Sequence, residues 1–136
     1  MIFPVGTPLS ILVADDEAGV RDLLQQFLGR AGHRVTCAST GEEARRLLLG
    51  AVFDLVITDI VMPDGDGFEL IAAVKQHQPR ARILAISGGG KYIQGADCLK
   101  MARGLGAHGM VMKPFGWEEI QAALAATIPE RVAAAR

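Results

Sequence analysis

The sequence lacks most features that announce a membrane, secreted or nucleic-acid-binding protein. Its 136 residues include two cysteines, Cys37 and Cys98, with no CxxC pair and no Cys/His ligand spacing. Neither a disulfide framework nor a zinc site is expected, and both read as reduced thiols of a cytosolic protein. No apolar stretch approaches the roughly 18 residues that span a bilayer. The first eight residues, Met1 to Pro8, lack the basic segment and apolar core of a secretion signal, so a cytoplasmic location is expected. Fourteen basic against fifteen acidic residues give a net charge of −1. With no Lys/Arg-rich block either, no nucleic-acid partner is expected. His33, His77 and His108 are scattered and read as solvent-facing, so none is a candidate catalytic base. Repeats, low-complexity tracts and linkers are absent, and the length suits one domain with a real core.

What the chain does have is a set of short apolar, partly β-branched runs: Leu9–Ala14, Leu55–Thr58, Ile83–Ile86 and Met110–Met112. Each reads as a buried parallel strand. A further strand is expected over Arg34–Ala38. Between them lie helical patterns. Val20, Leu23, Leu24, Phe27, Leu28 and Ala31 form one apolar face, closed by Gly32. Thr40-Gly41-Glu42-Glu43 offers a capping box ahead of Ala44, Leu47 and Leu48. The third helix is expected from about Phe68 to His77, with Ile71 and Val74 inward, and the fourth from about Ala96 to Leu105. The fifth starts near Gly116 and carries Trp117, Ile120, Leu124 and Ile128 on one side. Trp117 reads as partly buried filler, with a partner contact as its alternative. Five β/α repeats in strict alternation imply an α/β, doubly wound parallel sheet with helices on both faces.

Asp15, Asp16, Asp59, Ser87 and Lys113 each stand just past a strand run, and such positions converge on one crevice of an open α/β sheet. Three carboxylates within about 5 Å repel by roughly 3 kcal/mol per pair at an effective dielectric near 20. Protonation or a bound cation must relieve that. All-oxygen ligation suits Mg²⁺, with Mn²⁺ possible. Lys113 adds a positive charge that can hold Asp59 and meet a phosphoryl oxygen, and Ser87 adds a hydroxyl. In-line phosphoryl transfer needs little more, with Asp59 at the end of the middle strand as the natural nucleophile.

Asp15-Asp16-Glu17, the segment Asp59 to Gly67, Ser87 and Lys113-Pro114-Phe115 together resemble a response-regulator receiver domain, the CheY-like module of two-component signalling. The resemblance covers about residues 9 to 128, leaving 1–8 as a lead-in and 129–136 as a tail. It implies a flavodoxin-like three-layer sandwich with strand order 2-1-3-4-5. It further implies Asp59 as phosphoacceptor, metal ligation by Asp16, Asp59, the Val61 carbonyl and (mostly through water) Asp15, and phosphoryl contacts from Ser87 and Lys113. The Lys113-Pro114 bond would be cis. A histidine kinase or phosphotransfer protein would donate the phosphoryl group. Ser87 would then move toward it, repacking the surface of the fourth helix, fifth strand and fifth helix for a downstream protein target or relay acceptor. The state would be a monomer or a phosphorylation-dependent dimer. The expectation is a stand-alone signalling receiver that promotes its own aspartyl phosphorylation and dephosphorylation, not a turnover enzyme.

Two departures from that pattern stand out. The residue three before the site lysine is usually Tyr or Phe, and here it is Met110, which cannot make a discrete ring-in, ring-out switch. Tyr92 is a candidate substitute ring. Val61 and Gly89 stand where side chains often position the water that hydrolyses the aspartyl phosphate, so a long-lived phosphorylated state is expected. A Mg²⁺-dependent phosphohydrolase would want a carboxylate at position 61, and a phosphate-independent interaction module would merely retain the fold. Asp64 and Asp66 read as turn and cap residues, and Gly88-Gly89-Gly90-Lys91 lacks the first glycine and final Ser/Thr of a nucleotide loop. Met62, Met101, Met110 and Met112 read as packing residues.

Overall fold

A computed structural model describes residues 7–62, 67–88 and 95–129, with backbone alone for 95, 96, 98 and 99. The elements alternate: β1 Ser10–Ala14, α1 Ala18–Arg30, β2 Arg34–Ala38, α2 Gly41–Gly50, β3 Leu55–Asp59, α3 Gly67–His77, β4 Arg82–Ser87, α4 Gly95–Gly104, β5 Gly109–Met112 and α5 Trp117–Thr127. All four strand pairings are parallel, in the order β2-β1-β3-β4-β5. The architecture is therefore the expected doubly wound α/β sandwich. No helix among the described residues is long and apolar enough to cross a membrane.

The period-2 alternation of the central strands divides the core into two layers. Leu12, Ala14, Val56, Ile83 and Ala85 face α2, α3 and α4, meeting Ala44, Leu48, Leu70, Ile71, Val74 and Ala102. Ile11, Val13, Leu55, Ile57, Leu84 and Ile86 face α1 and α5, meeting Leu24, Leu28, Ile120 and Ala123. Because both faces of β1, β3 and β4 are covered, their sequences read as continuous apolar runs. Trp117 is half-buried against Phe27, ring centroids 5.5 Å apart, so it serves as packing on the α1/α5 side.

Helix ends follow local chemistry. Thr40 Oγ1 accepts from the Glu43 N–H at 3.1 Å, while the Glu43 carboxylate accepts from Ser39 N–H at 2.9 Å. The reciprocal bond thus lands one residue earlier than the expected box. Gly32 follows α1 at φ +94°, a conformation glycine adopts without strain. Ala31 is exposed, because α1 ends at Arg30 and Ala31 is its C-cap, already outside the helix.

Several readings need correction. His33 and His108 are not free surface residues: His33 Nδ1 accepts from Leu9 N–H, and His108 Nδ1 accepts from Ile83 N–H, both at 3.0 Å. Asp54 Oδ2 likewise accepts from Ser10 N–H at 2.8 Å. Each of the three immediately precedes a strand and caps a backbone donor at or beside the start of the neighbouring strand. His77 is exposed as expected. Met62 is buried, but Met101 and Met112 are 51% and 47% exposed and do not fill the core. Cys37 is free and half-buried, and burial raises its thiol pKa. The Cys98 side chain, Asp64, Asp66, Gly89 and Tyr92 lie outside the described residues.

The strand-edge caps predict a stability cost. His108→Ala leaves the Ile83 N–H without its acceptor and should cost about 1–3 kcal/mol in urea unfolding. His108→Asn, whose amide oxygen can replace Nδ1, should recover most of it. Equal losses for the two would show that the imidazole ring's packing, not its acceptor nitrogen, carries the effect.

Candidate functional site

Parallel pairing brings the carboxyl ends of the strands to one rim. Register matches Ala14 with Thr58, Asp59 with Ile86 and Ser87 with Met112. The residues that end or follow these strands therefore meet. A crevice of about 230 Å³ is lined by Asp16, Glu17, Asp59, Val61, Ser87, Gly88 and Lys113. Asp15 lies beneath it, fully buried.

Lys113 organises the charges. Its Nζ donates to Asp59 Oδ2 at 3.0 Å and lies 3.0 Å from Asp15 Oδ2 and 3.4 Å from Glu17 Oε1. The other Asp59 oxygen, Oδ1, accepts from the Val61 N–H at 3.2 Å. Asp15 Oδ1 accepts from the Glu17 N–H at 2.9 Å, and the Arg21 guanidinium donates to the Asp15 carbonyl at 2.9 Å. Asp15 Oδ2 is close enough to Lys113 for an ion pair, yet among the described residues it has no well-aligned hydrogen-bond donor. The ion pair with Lys113 holds this oxygen without filling its acceptor capacity, which leaves room for a further cation. The Lys113-Pro114 bond is cis.

Burial raises the Asp59 pKa, and the neighbouring Asp15 charge adds to it, while Lys113 and the Val61 N–H oppose. Asp15 is raised by burial too, against the Glu17 N–H and Lys113. Burial alone would lower Lys113, but its contacts with Asp15 and Asp59 outweigh it and hold the ammonium well above an ordinary lysine. The cluster therefore contains a firmly charged cation between two desolvated carboxylates that gain from a further positive charge.

One oxygen from each of Asp15, Asp16 and Asp59 lies within 4.8 Å of the others, with Asp16 exposed and the other two buried. An all-oxygen donor set that includes the buried, ion-paired Asp15 Oδ2 fits a hard divalent cation, and the acidic pocket is compatible with one. Ser87 is buried at the end of β4, and Val61 stands exposed beside Asp59. Met110 is half-buried against the α2/α3/α4 layer. Two roles were not foreseen from sequence, that of Glu17 within the Asp15-Asp16-Glu17 motif and that of Arg21. Glu17 is a third partner of Lys113, and Arg21 tethers the β1–α1 turn; a partner 96 residues away leaves no local signal for Glu17.

With this geometry in place, likeness to known proteins becomes informative. The family model of the response regulator receiver domain matches residues 11–125. The chain is 34% identical over 114 residues to the DNA-binding transcriptional regulator NtrC of Rhizobium meliloti, covering 84% of this chain and 23% of that protein. It is 33% identical over 131 residues to the protein PetR of Rhodobacter capsulatus, covering 94% and 53%. Among solved structures, the chemotaxis response regulator CheY4 of Vibrio cholerae superposes with a TM-score of 0.78 at 28% identity, covering 89% of this chain and 99% of that one. The chain belongs to the response-regulator receiver domain family, the phosphorylatable signalling module of two-component systems. It spans about a quarter to a half of the length of the curated relatives it matches.

Proposed function

We propose that this receiver takes a phosphoryl group on Asp59 from a histidine kinase or phosphotransfer protein. The observation that carries the reading is the Lys113 ammonium, 3.0 Å from both Asp59 and Asp15 at the mouth of an acidic crevice. Asp16, Asp59, Asp15 and the carbonyl of Val61 would hold Mg²⁺ (or Mn²⁺), which when bound supplies charge neutralisation for the incoming phosphoryl oxygens. Val61 N–H and Lys113 fix the two Asp59 oxygens, so the carboxylate is oriented before it reacts. An Asp59 oxygen forms the new bond to phosphorus, and the donor's leaving group departs with the electron pair of the broken bond. Lys113 then pairs with one phosphoryl oxygen, and the Ser87 hydroxyl turns outward to donate to another.

On this reading the receiver comprises residues 9–128, with 1–8 and 129–136 as lead-in and tail, and it works in the cytoplasm. It is a switch that promotes its own modification and slow reversal, and it signals to a downstream protein, as a monomer or a phosphorylation-dependent dimer. Contacts from α4, β5 and α5 would carry the signal. Nucleic acid and membrane are not direct partners. A hydrolase is disfavoured because Val61 offers no acid or base where turnover would need one. Beryllofluoride, a phosphoryl mimic, should bind wild type only with Mg²⁺ present, read by NMR of the backbone amides around the crevice, and should leave Asp59→Asn unchanged. Equal shifts in both proteins would defeat the assignment.

The phosphorylated protein should also be long-lived. Val61→Asn, which gives the hydrolytic water a polar partner, should shorten the lifetime severalfold in purified protein with Mg²⁺. An unchanged or longer lifetime would show that position 61 does not limit hydrolysis.

A further inference from the structure

Glu17 has no place in the mechanism above, yet it occupies the entrance to the site. Its carboxylate is 62% exposed, lies 3.4 Å from Lys113 Nζ, and lines the acidic crevice. It also lines a second hollow of about 560 Å³ beside the crevice, whose wall includes Val20, Leu23, Pro114 and Phe115. Gly88 and Lys113 line both. Glu17 thus stands where the two hollows share a wall. Its backbone is also held in place: the N–H donates to Asp15 Oδ1, and the carbonyl accepts from Val20 and Arg21 N–H at the start of α1.

Two consequences follow from charge alone. A small phosphodonor is an anion, so a carboxylate at the mouth opposes its entry. The same carboxylate also occupies part of the charge of Lys113, the group that must meet the phosphoryl oxygens. We infer that Glu17 is an electrostatic positioning residue, acting through Lys113, that restrains phosphorylation of Asp59 by small free anionic donors. This rests on the reading of Asp59 as phosphoacceptor. The step it restrains is simple. With acetyl phosphate, an Asp59 oxygen bonds to phosphorus, the P–O bond to the acetyl group breaks, and acetate leaves with the electron pair; no proton or co-reactant is required.

A unit charge several ångströms from the reacting phosphoryl group, partly solvated, should change the rate by about threefold to tenfold. The experiment follows intact mass of the full chain with acetyl phosphate (a dianion) and phosphoramidate (less negative), with Mg²⁺, at low and high salt. Glu17→Gln and Glu17→Leu, which both remove the charge, should accelerate acetyl phosphate about threefold to tenfold, through a lower half-saturating donor concentration more than a higher maximal rate. Glu17→Lys should accelerate it further, and Glu17→Asp should fall nearer wild type than Gln does. The gain should shrink with phosphoramidate and at high salt, where exposed charges are screened. Thermal melts of each variant separate this from unfolding.

Divergent rates for Gln and Leu, or an advantage equal for both donors and insensitive to salt, would assign the effect to shape and overturn the inference. Modification of Asp59 at one rate in every variant would overturn it as well, while leaving the phosphoacceptor reading standing. Absence of Asp59-dependent modification in wild type would remove both.

Discussion

Replacing Asp59 with asparagine should make the protein more stable and abolish its modification. Asp59 is nearly fully buried, and burial is the first cause of its raised pKa, followed on the same side by the charge of Asp15. A carboxyl whose folded pKa lies above its unfolded value contributes stability below the ordinary carboxylate range and loses it as pH rises through the folded value. At neutral pH the ionised group is therefore a net burden on the folded state. The amide of the asparagine would keep an oxygen for Lys113 and remove the charge, and Lys113 would retain Asp15 and Glu17. A higher Tm at neutral pH, by roughly a few degrees, is expected in thermal melts of the two proteins. Stabilisation of wild type by Mg²⁺ should be largely lost in the variant, because one ligand and the repulsion to be relieved disappear together. A destabilised Asp59→Asn would mean that the Lys113 pair outweighs desolvation.

Gly67→Ala should have the largest effect on folding. Gly67 opens α3, and its N–H donates to the Ile60 carbonyl at 2.9 Å, folding the chain back onto the end of β3. A Cβ there would overlap the backbone carbonyl of Asp59 and stand 2.7 Å from the Ile60 Cα. Both obstacles are backbone at the end of the central strand, so no side chain can swing aside. A cost of about 3 kcal/mol is expected from forced overpacking. Any relief requires Asp59 itself to shift, so phosphorylation should slow as well. Gly29→Ala makes the contrast: nothing lies within 4 Å of a Cβ there. In the last turn of α1 it should be neutral or stabilising by up to about 1 kcal/mol. Chemical denaturation of the two variants tests the contrast, and a tolerated Gly67→Ala would show that the β3–α3 junction yields more easily than these contacts imply.

The parts of this structure that were legible from sequence share a physical origin in local patterning. Leu12 and Val13 lie on opposite faces of one strand, both buried, so a sheet covered on both sides appears as an uninterrupted apolar run. The α1 stripe from Val20 to Leu28 repeats at helical spacing, and its last expected member, Ala31, falls outside because the helix ends at Arg30. The strand-end positions of Asp59 and Lys113 told which side chains would meet, since parallel strands all finish on one rim. What stayed hidden needed the third dimension. His33, Asp54 and His108 cap neighbouring strands, but each has that role only once the order β2-β1-β3-β4-β5 is known. Gln78 is a further case: one side chain accepts from Phe53 N–H and donates to the carbonyls of Leu48 and Ala51, holding the α2–β3 connection. Nothing around Gln78 in the chain signals this. The exposure of Met101 and Met112 was equally hidden, because hydropathy does not reveal which apolar residues an edge strand and its helix leave uncovered.

The buried carboxylate at the end of β3 is, on this reading, the group that accepts phosphorus, with its charge balanced by Lys113 and a divalent cation. Peptide mapping of the protein after acetyl phosphate and Mg²⁺ tests that most directly. The expected result is one phosphoryl group, confined to the peptide containing Asp59, and none when Mg²⁺ is chelated. A phosphoryl group on any other residue, or modification indifferent to the metal, would contradict it.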